Sequence, residues 1–323
     1  MLTEELVQMV GFSQKKLVAA GAVLVLLILV GAAAWRGETE TPDLPSVAEK
    51  LAEAGLDDHA RHPVLRIGIH TERRLLGFQE NGVYTGFDIE IARYIAKNLG
   101  YGDKIEWTPI RNANDRILFL EQDTVDLVLA SFSITDERKK RVRFAGPYLI
   151  TEQSVLVSAK NKTISSIQDL RNLAGKVCVA ASTTSESLLE DRQIRPDARD
   201  NSEVCFKGIL DGKYQAMVAG RTILVGFASQ YPEQVKVLDL ELGLEDNLGI
   251  DRVGIGVSKN NPALQDLVNY FLNKSYLEQQ SGRMTEWQSA YDRYLAVPHG
   301  QQSQPKPDEA PQLLDYDAKA PMR

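Results

Sequence analysis

The stretch Asp126-Leu-Val-Leu-Ala-Ser131-Phe-Ser133-Ile-Thr135-Asp-Glu-Arg138-Lys-Lys-Arg-Val-Arg-Phe144-Ala-Gly-Pro147-Tyr148 decides the fold. Residues 127–130 are uninterrupted apolar residues, the pattern of a strand buried on both faces of a parallel sheet. Ser131, Ser133 and Thr135 then read as a hydroxyl-lined loop, followed by a helix that carries Arg138. In open α/β sheets ligands bind just past the carboxyl ends of strands. A guanidinium in reach of that place can hold a carboxylate through two parallel hydrogen bonds. The competing reading is a strand and an ordinary helix, with the basic residues of 138–143 forming a solvated face.

Outward from this stretch, strands and helices alternate. Residues 66–69 form a first strand, and Asn81-Gly82 predicts a hairpin between 75–79 and 83–86. Asp88 can cap a helix ending near Gly100, with Ile89, Ala92, Ile95 and Ala96 on one face. A further unit comprises 105–107, a helix over 115–122, and the 127–130 strand. Residues 155–158 lead to a second set of elements: a helix over 167–173, a strand over 177–180, a helix over 186–192 and a late strand over 235–238. Residues 249–257 cross back, and 262–295 supply the last helices. Periodicity alone establishes an α/β chain of two lobes.

With 323 residues, 43% hydrophobic and 25% charged, the chain can bury one large core or two medium ones. A net charge of −7 with dispersed Lys and Arg argues against nucleic acid. The four histidines and two cysteines have no metal-ligand spacing, and no phosphate loop, nucleophile elbow or dinucleotide fingerprint is present. No cofactor or metal is implied.

The uncharged run 17–34 is long enough to cross a bilayer. Lys15 and Lys16 before it and Glu38 and Glu40 after it put residues 1–16 in the cytoplasm and the rest outside. Segment 17–35 is either an uncleaved anchor or a signal peptide cut near Ala32-Ala33-Ala34. Residues 36–61 read as a linker with one short helix, since Ser46-Val-Ala-Glu49 spells a capping box. The tail 298–323, rich in Gln, Pro and Asp, is expected to lack fixed structure.

Residues 64–296 resemble the extracytoplasmic solute-binding proteins of polar amino-acid ABC transporters, family 3. Arg66-Ile-Gly-Ile resembles the family's first strand, Gly86-Phe87-Asp88-Ile-Glu-Ile-Ala its helix entry, and Ser133-Ile-Thr135-x-x-Arg138 its ligand-arginine motif. Gly175-Lys-Val-Cys-Val and Ser182-Thr183-Thr184 resemble the start of its second lobe. The likeness is strongest to glutamate-type members from actinobacteria. It implies a type II periplasmic-binding-protein fold with two hinge strands. Its expected parts are 62–154 and 249–297 for the first lobe and 155–248 for the second.

The resemblance also implies the site. Arg138 would clamp a ligand α-carboxylate beside Ser131 and Ser133. Thr183 and Thr184 would meet it from the second lobe, where a helix start also offers unpaired N–H groups. Arg116, in Asn114-Asp-Arg116-Ile-Leu-x-Leu, would contact a second carboxylate. His70, Arg73 and Arg74 would add positive potential at the cleft edge. Cys178 and Cys205 match second-lobe cysteines of the glutamate-type proteins and imply a disulfide, as expected of an extracytoplasmic pair.

One departure stands out. The family's usual aspartate for the ligand ammonium aligns with Gly220, followed by Arg221. A buried ammonium without an anionic partner costs several kcal/mol. Either Asp251 or Glu152 substitutes, or Gly220 and Arg221 push the ligand towards a di- or tricarboxylate without an amine, or the domain has lost transport-type binding. The expected function is non-catalytic: a monomeric protein captures a glutamate-like carboxylate by lobe closure and delivers it to an ABC permease. A membrane-tethered sensor without a transport role is the alternative. An enzyme is the third class, since some relatives on this fold dehydrate cyclic acids, and no carboxylate–base pair in the predicted cleft supports it.

Overall fold

The computed structural model describes residues 44–315 except 174, 241 and 243–248. The apolar run 17–34 lies outside the described residues. Among those described, no helix is long and apolar enough to cross a membrane.

Ser46 starts helix α1 (Val47–Glu53) through the capping box its sequence spells. Its Oγ accepts from Glu49 N at 3.1 Å, and the Glu49 carboxylate accepts from Ser46 N at 2.8 Å. Val47 and Leu51 turn inward to the first-lobe core, so this segment is part of the lobe and not a free linker. Strand β1 (Leu65–Ile69) is followed by a three-stranded ribbon of β2 (Glu72–Arg73), β3 (Gly77–Glu80) and β4 (Val83–Thr85). Asn81 and Gly82 both have positive φ, as a two-residue hairpin turn requires. Gly86 has φ +121°, and a Cβ there would lie 2.3 Å from Leu76 O, so only glycine opens helix α2 (Phe87–Asn98) in this way.

The remaining first-lobe elements before the crossing are β5 (Ile105–Pro109), α3 (Asp115–Glu121), β6 (Leu127–Ser133), α4 (Asp136–Lys139) and the long β7 (Arg143–Ser158). The second lobe holds α5 (Ile167–Arg171), β8 (Val177–Ala180), α6 (Thr184–Asp191), β9 (Asp197–Arg199), α7 (Ser202–Leu210), β10 (Ala216–Gly220), α8 (Arg221–Ala228) and β11 (Val235–Leu238). The chain returns through β12 (Ile250–Val257) to α9 (Pro262–Gln280), α10 (Glu286–Tyr294) and α11 (Ala296–His299).

The large sheet runs β5-β1-β6-β12-β7-β10-β8-β9, with β11 also on β7. β7 pairs with β12 from Arg143 to Glu152, then with β10 and β11 from Gln153 onward. It is therefore one of two segments joining the lobes, and β12 is the other. Each lobe packs apolar layers on its part of the sheet: Ile67, Phe87, Tyr148 and Trp287 in one layer of the first lobe, Val157, Val179 and Val218 in one layer of the second. Trp287 is fully buried and its Nε1 donates to Tyr148 O at 2.7 Å, so the one polar atom of that ring is satisfied in the core.

Two expectations change. The hydroxyl-bearing segment after residue 130 is strand, not loop, because β12 continues to pair with it (Val253 with Ser133, Gly254 with Phe132). A register shift in β12 between Gly254 and Gly256, with Ser131 at φ +47°, bends β6 there.

The tail is also ordered over residues 300–315. Gln304 is 2% exposed and donates Nε2 to Leu272 O at 2.8 Å, while its Oε1 accepts from Ser275 Oγ at 2.8 Å. Asp308 N donates to Gly146 O, and Leu314 forms a bridge with Ser46. A glutamine-rich composition reads as disorder because it lacks apolar side chains. Here the amides satisfy first-lobe carbonyls instead of packing.

Cys178 on β8 and Cys205 on α7 form a disulfide with Cα atoms 5.5 Å apart, closing a separation of 27 residues. In the loop-entropy account such a closure stabilises by roughly 3 kcal/mol. Cys178→Ala/Cys205→Ala should therefore lower the unfolding free energy by roughly 2 to 3 kcal/mol in urea denaturation while the folded spectrum is kept. An unchanged midpoint would show that the bridge contributes nothing to stability.

Candidate functional site

All eight candidate binding residues line one cavity between the lobes: Arg138, Ser131, Ser133, Arg116, His70 and Arg73 from the first lobe, Thr183 and Thr184 from the second. Arg138 is placed by Thr135, which caps α4 by accepting from Arg138 N at 3.2 Å. Its Nη1 donates to Ser133 O at 2.7 Å. Its Nη2 donates to Ser182 O of the second lobe at 3.2 Å, so the lobes meet across the cleft through this side chain. Arg116 is 4% exposed and donates to Ala113 O, Ala130 O and Ser131 O at 3.0, 3.3 and 2.9 Å. Both guanidinium carbons lie near the Phe132 ring, 4.8 Å for Arg116 and 5.3 Å for Arg138.

The partners of these arginines are neutral. Among the described residues, Arg73, Arg116 and Arg138 form no salt bridge. Burial pulls the Arg116 guanidinium well below its ordinary range, and the charges of Arg138 and Arg73 pull the same way. Burial lowers Arg138 too, with Asp251 opposing. Like charges gathered out of water are unfavourable until an anion joins them.

His70 corrects its expectation. It is 3% exposed, and its Nδ1 donates to Ile110 O at 3.0 Å. Burial, with Arg73 and Arg116 adding to it, holds the ring well below the usual imidazole range, so it is neutral. A neutral ring with its proton on Nδ1 presents Nε2 as an acceptor, and this atom has no hydrogen-bond partner. His70 thus supplies a neutral ring where a positive charge was expected. Arg73 Nε and Ser131 Oγ are likewise buried without partners in the protein. Arg74 lies apart, donating to Gln230 Oε1 at 3.1 Å and stacked on Phe78.

Thr183 and Thr184 sit at the start of α6, but their hydroxyls are engaged. Thr183 Oγ1 donates to Ala180 O at 2.7 Å and caps Glu186 N. Thr184 Oγ1 donates to Asp251 Oδ1 at 2.8 Å. The Glu186 carboxylate accepts from Ser182 N at 2.7 Å. Both threonine hydroxyls are thus committed to partners within the protein.

Arg221 pairs with Glu152 at 3.3 Å and Asp239 at 2.9 Å and does not line the cavity. It therefore exerts no direct pressure on the ligand, contrary to expectation.

Four further polar residues complete the site. Asp88 on α2 is fully buried, accepting from Tyr148 Oη at 2.8 Å and from Ser131 N at 3.4 Å. Burial pushes its carboxyl up to about 6 against those hydrogen bonds. Asp251 on β12 is 8% exposed and accepts from Gln153 Nε2 at 2.5 Å and from Thr184. Gln153 on β7 accepts in turn from Ser185 Oγ at 2.6 Å. Thr151, opposite Asp251 on β7, lines the cavity beside it. The sequence signal for Asp251 was the one acidic residue in the run Ile250-Asp-Arg-Val-Gly-Ile-Gly-Val257.

The lining charges do not cancel. Arg73, Arg111, Arg116 and Arg138 face Asp88, Asp200 and Asp251, one positive charge in excess with His70 neutral.

Residues 65–294 match the family described as bacterial extracellular solute-binding proteins, family 3. The chain is 25% identical over 241 residues to the glutamate-binding protein GluB of Corynebacterium efficiens, covering 72% of this chain and 77% of that one. It is 30% identical over 214 residues to the ABC transporter glutamine-binding protein GlnH of Bacillus subtilis, covering 64% and 75%. Its fold superposes on the cysteine-binding protein from Campylobacter jejuni with a TM-score of 0.66 and 25% identity, covering 77% and 96%.

Proposed function

The chain belongs to the bacterial extracellular solute-binding proteins, family 3, and we propose that it captures an acidic amino acid for delivery to an ABC transporter. The observation that carries this reading is the charge pattern of the cleft: carboxylates and guanidiniums without salt bridges, with one positive charge in excess. A zwitterion with one extra carboxylate complements that pattern. In this reading Arg138, with Ser131 and Ser133, takes the α-carboxylate and Arg116 with Arg73 takes the side-chain carboxylate. The backbone N–H groups at Thr183 and Thr184 close on the α-carboxylate from the other lobe. The name of the Corynebacterium relative, a glutamate-binding protein, supports this choice. The protein acts as a monomer on the outer face of the cell membrane, tethered by the apolar run 17–34, and docks on a permease when its lobes shut.

Calorimetric titration of the purified full-length protein, in detergent, with glutamate, aspartate, glutamine and arginine tests the reading. Glutamate or aspartate should bind at least about tenfold more tightly than glutamine, with arginine weaker still. Tighter binding of a neutral or basic amino acid, or no binding of either acid, would sink it.

A further inference from the structure

We infer that Asp251, on the returning hinge strand β12, accepts the ligand's ammonium group in place of the carboxylate that position 220 lacks. The inference rests on the acidic amino-acid reading and names the part of the site that distinguishes an amino acid from a plain dicarboxylate.

Space makes the first argument. A Cβ built on Gly220 would meet Asp251 Oδ2 at 3.6 Å, with Thr151 Cγ2 at the same distance. The Asp251 carboxylate therefore occupies the region that a longer side chain at 220 would enter. A negative group is delivered there from the hinge and not from the start of α8. Glycine at 220 leaves room for it.

Bonding makes the second. A carboxylate has about four acceptor positions, and the bonds from Gln153 and Thr184 take one on each oxygen. Both donors are neutral, and among the described residues no cation pairs with Asp251. Burial raises its pKa, while Thr184, Ser133 and the charges of Arg138 and Arg116 draw it back toward the ionised form. An ammonium would bring the missing positive charge and donors to the open positions.

Two other acidic residues, Glu152 and Asp88, are placed for different tasks. Glu152 is turned to Arg221 and His299 and is outside the cavity lining. Asp88 holds Tyr148 and the Ser131 backbone, one bond on each oxygen, and is fully buried.

The location has a consequence for closure. Asp251 is paired with Thr151 on β7, and its carboxylate binds Thr184 of the second lobe through its other oxygen. Reading the amine on the hinge ties recognition of that group to the strands that must bend when the lobes shut.

The test compares L-glutamate with glutarate, its analogue without the amine, by calorimetry on the full-length protein and two variants. The parent should prefer glutamate by about 30-fold or more. Asp251→Asn keeps the shape and removes the charge; its amide oxygen can still accept from Gln153 while its amide nitrogen donates to Thr184 Oγ1, so glutamate should weaken by about 30-fold while glutarate changes by less than about threefold. Gly220→Asp/Asp251→Asn, which returns the carboxylate to the α8 start, should restore the preference. It carries the test if the single variant does not fold, as judged by its melting curve. A parent that binds glutarate as tightly as glutamate overturns the inference, as does an unchanged preference in Asp251→Asn or none in a folded swap variant. In those cases acid binding survives and the proposed function stands. If no acidic amino acid binds the parent, the functional reading itself has failed and this inference falls with it.

Discussion

Replacing Arg138 by alanine is expected to remove about two thirds or more of the glutamate-dependent stabilisation seen in melting temperature while leaving the unliganded protein folded. The parent at a hundredfold excess of ligand over Kd gains about 2.7 kcal/mol by mass action. The variant loses a charged donor pair aimed at a carboxylate in a largely desolvated cleft, a change on the order of 2 to 5 kcal/mol. The affinity should therefore fall by about 30-fold at the least. Two features separate this effect from general damage. The Arg138 guanidinium donates hydrogen bonds only to carbonyls, those of Ser133 and Ser182, so its removal leaves no acidic partner stranded. The second contact crosses the cleft, so the variant should also open more readily. Small-angle scattering of the unliganded variant should report a larger radius of gyration. Unchanged affinity in a folded variant would show that the carboxylate is held elsewhere.

The placement of Arg138 was legible in the sequence because, its bond to Ser182 apart, what fixes it is local. An apolar strand, a Thr135 cap and a one-turn helix lie within a dozen positions, and their spacing sets the side chain's direction. The hairpin at Asn81-Gly82 and the capping box at Ser46 were legible for the same reason. What sequence reasoning missed depends on contacts between distant segments. Whether Ser131 and Ser133 are strand or loop depends on β12, which the chain reaches only after building the second lobe. His70 looked like a positive charge because its burial beneath Ile110 and beside two arginines cannot be read from neighbouring residues. Asp251 was one of two acidic replacements for the residue missing at 220, and only the cleft lining separates it from Glu152. The tail shows that composition misjudges amides, since Gln304 is as buried as the core residues around it.

Arg116 carries the second large expectation, a change of ligand class rather than a loss of binding. The residue is 4% exposed and its guanidinium is hydrogen-bonded only to carbonyls, an arrangement that leaves its charge uncompensated. A ligand carboxylate that compensates it gains a desolvated, charge-assisted contact, and a neutral amide in the same place gains less. Arg116→Met keeps a long apolar side chain beside Phe132 while removing the charge and the guanidinium that lies over that ring. Glutamate should then weaken by about 3 kcal/mol, roughly a hundredfold, and glutamine by less than about tenfold. The ratio of the two affinities is the informative quantity, because a disturbed cleft would weaken both together. The aspartate-to-asparagine ratio should move the same way if Arg116 reads the side-chain carboxylate. If instead the variant loses glutamate and glutamine equally, Arg116 serves the α-carboxylate or the shape of the β6 bend. The excess positive charge of the cleft would then have to be answered through Arg73, whose Nε is buried without a partner.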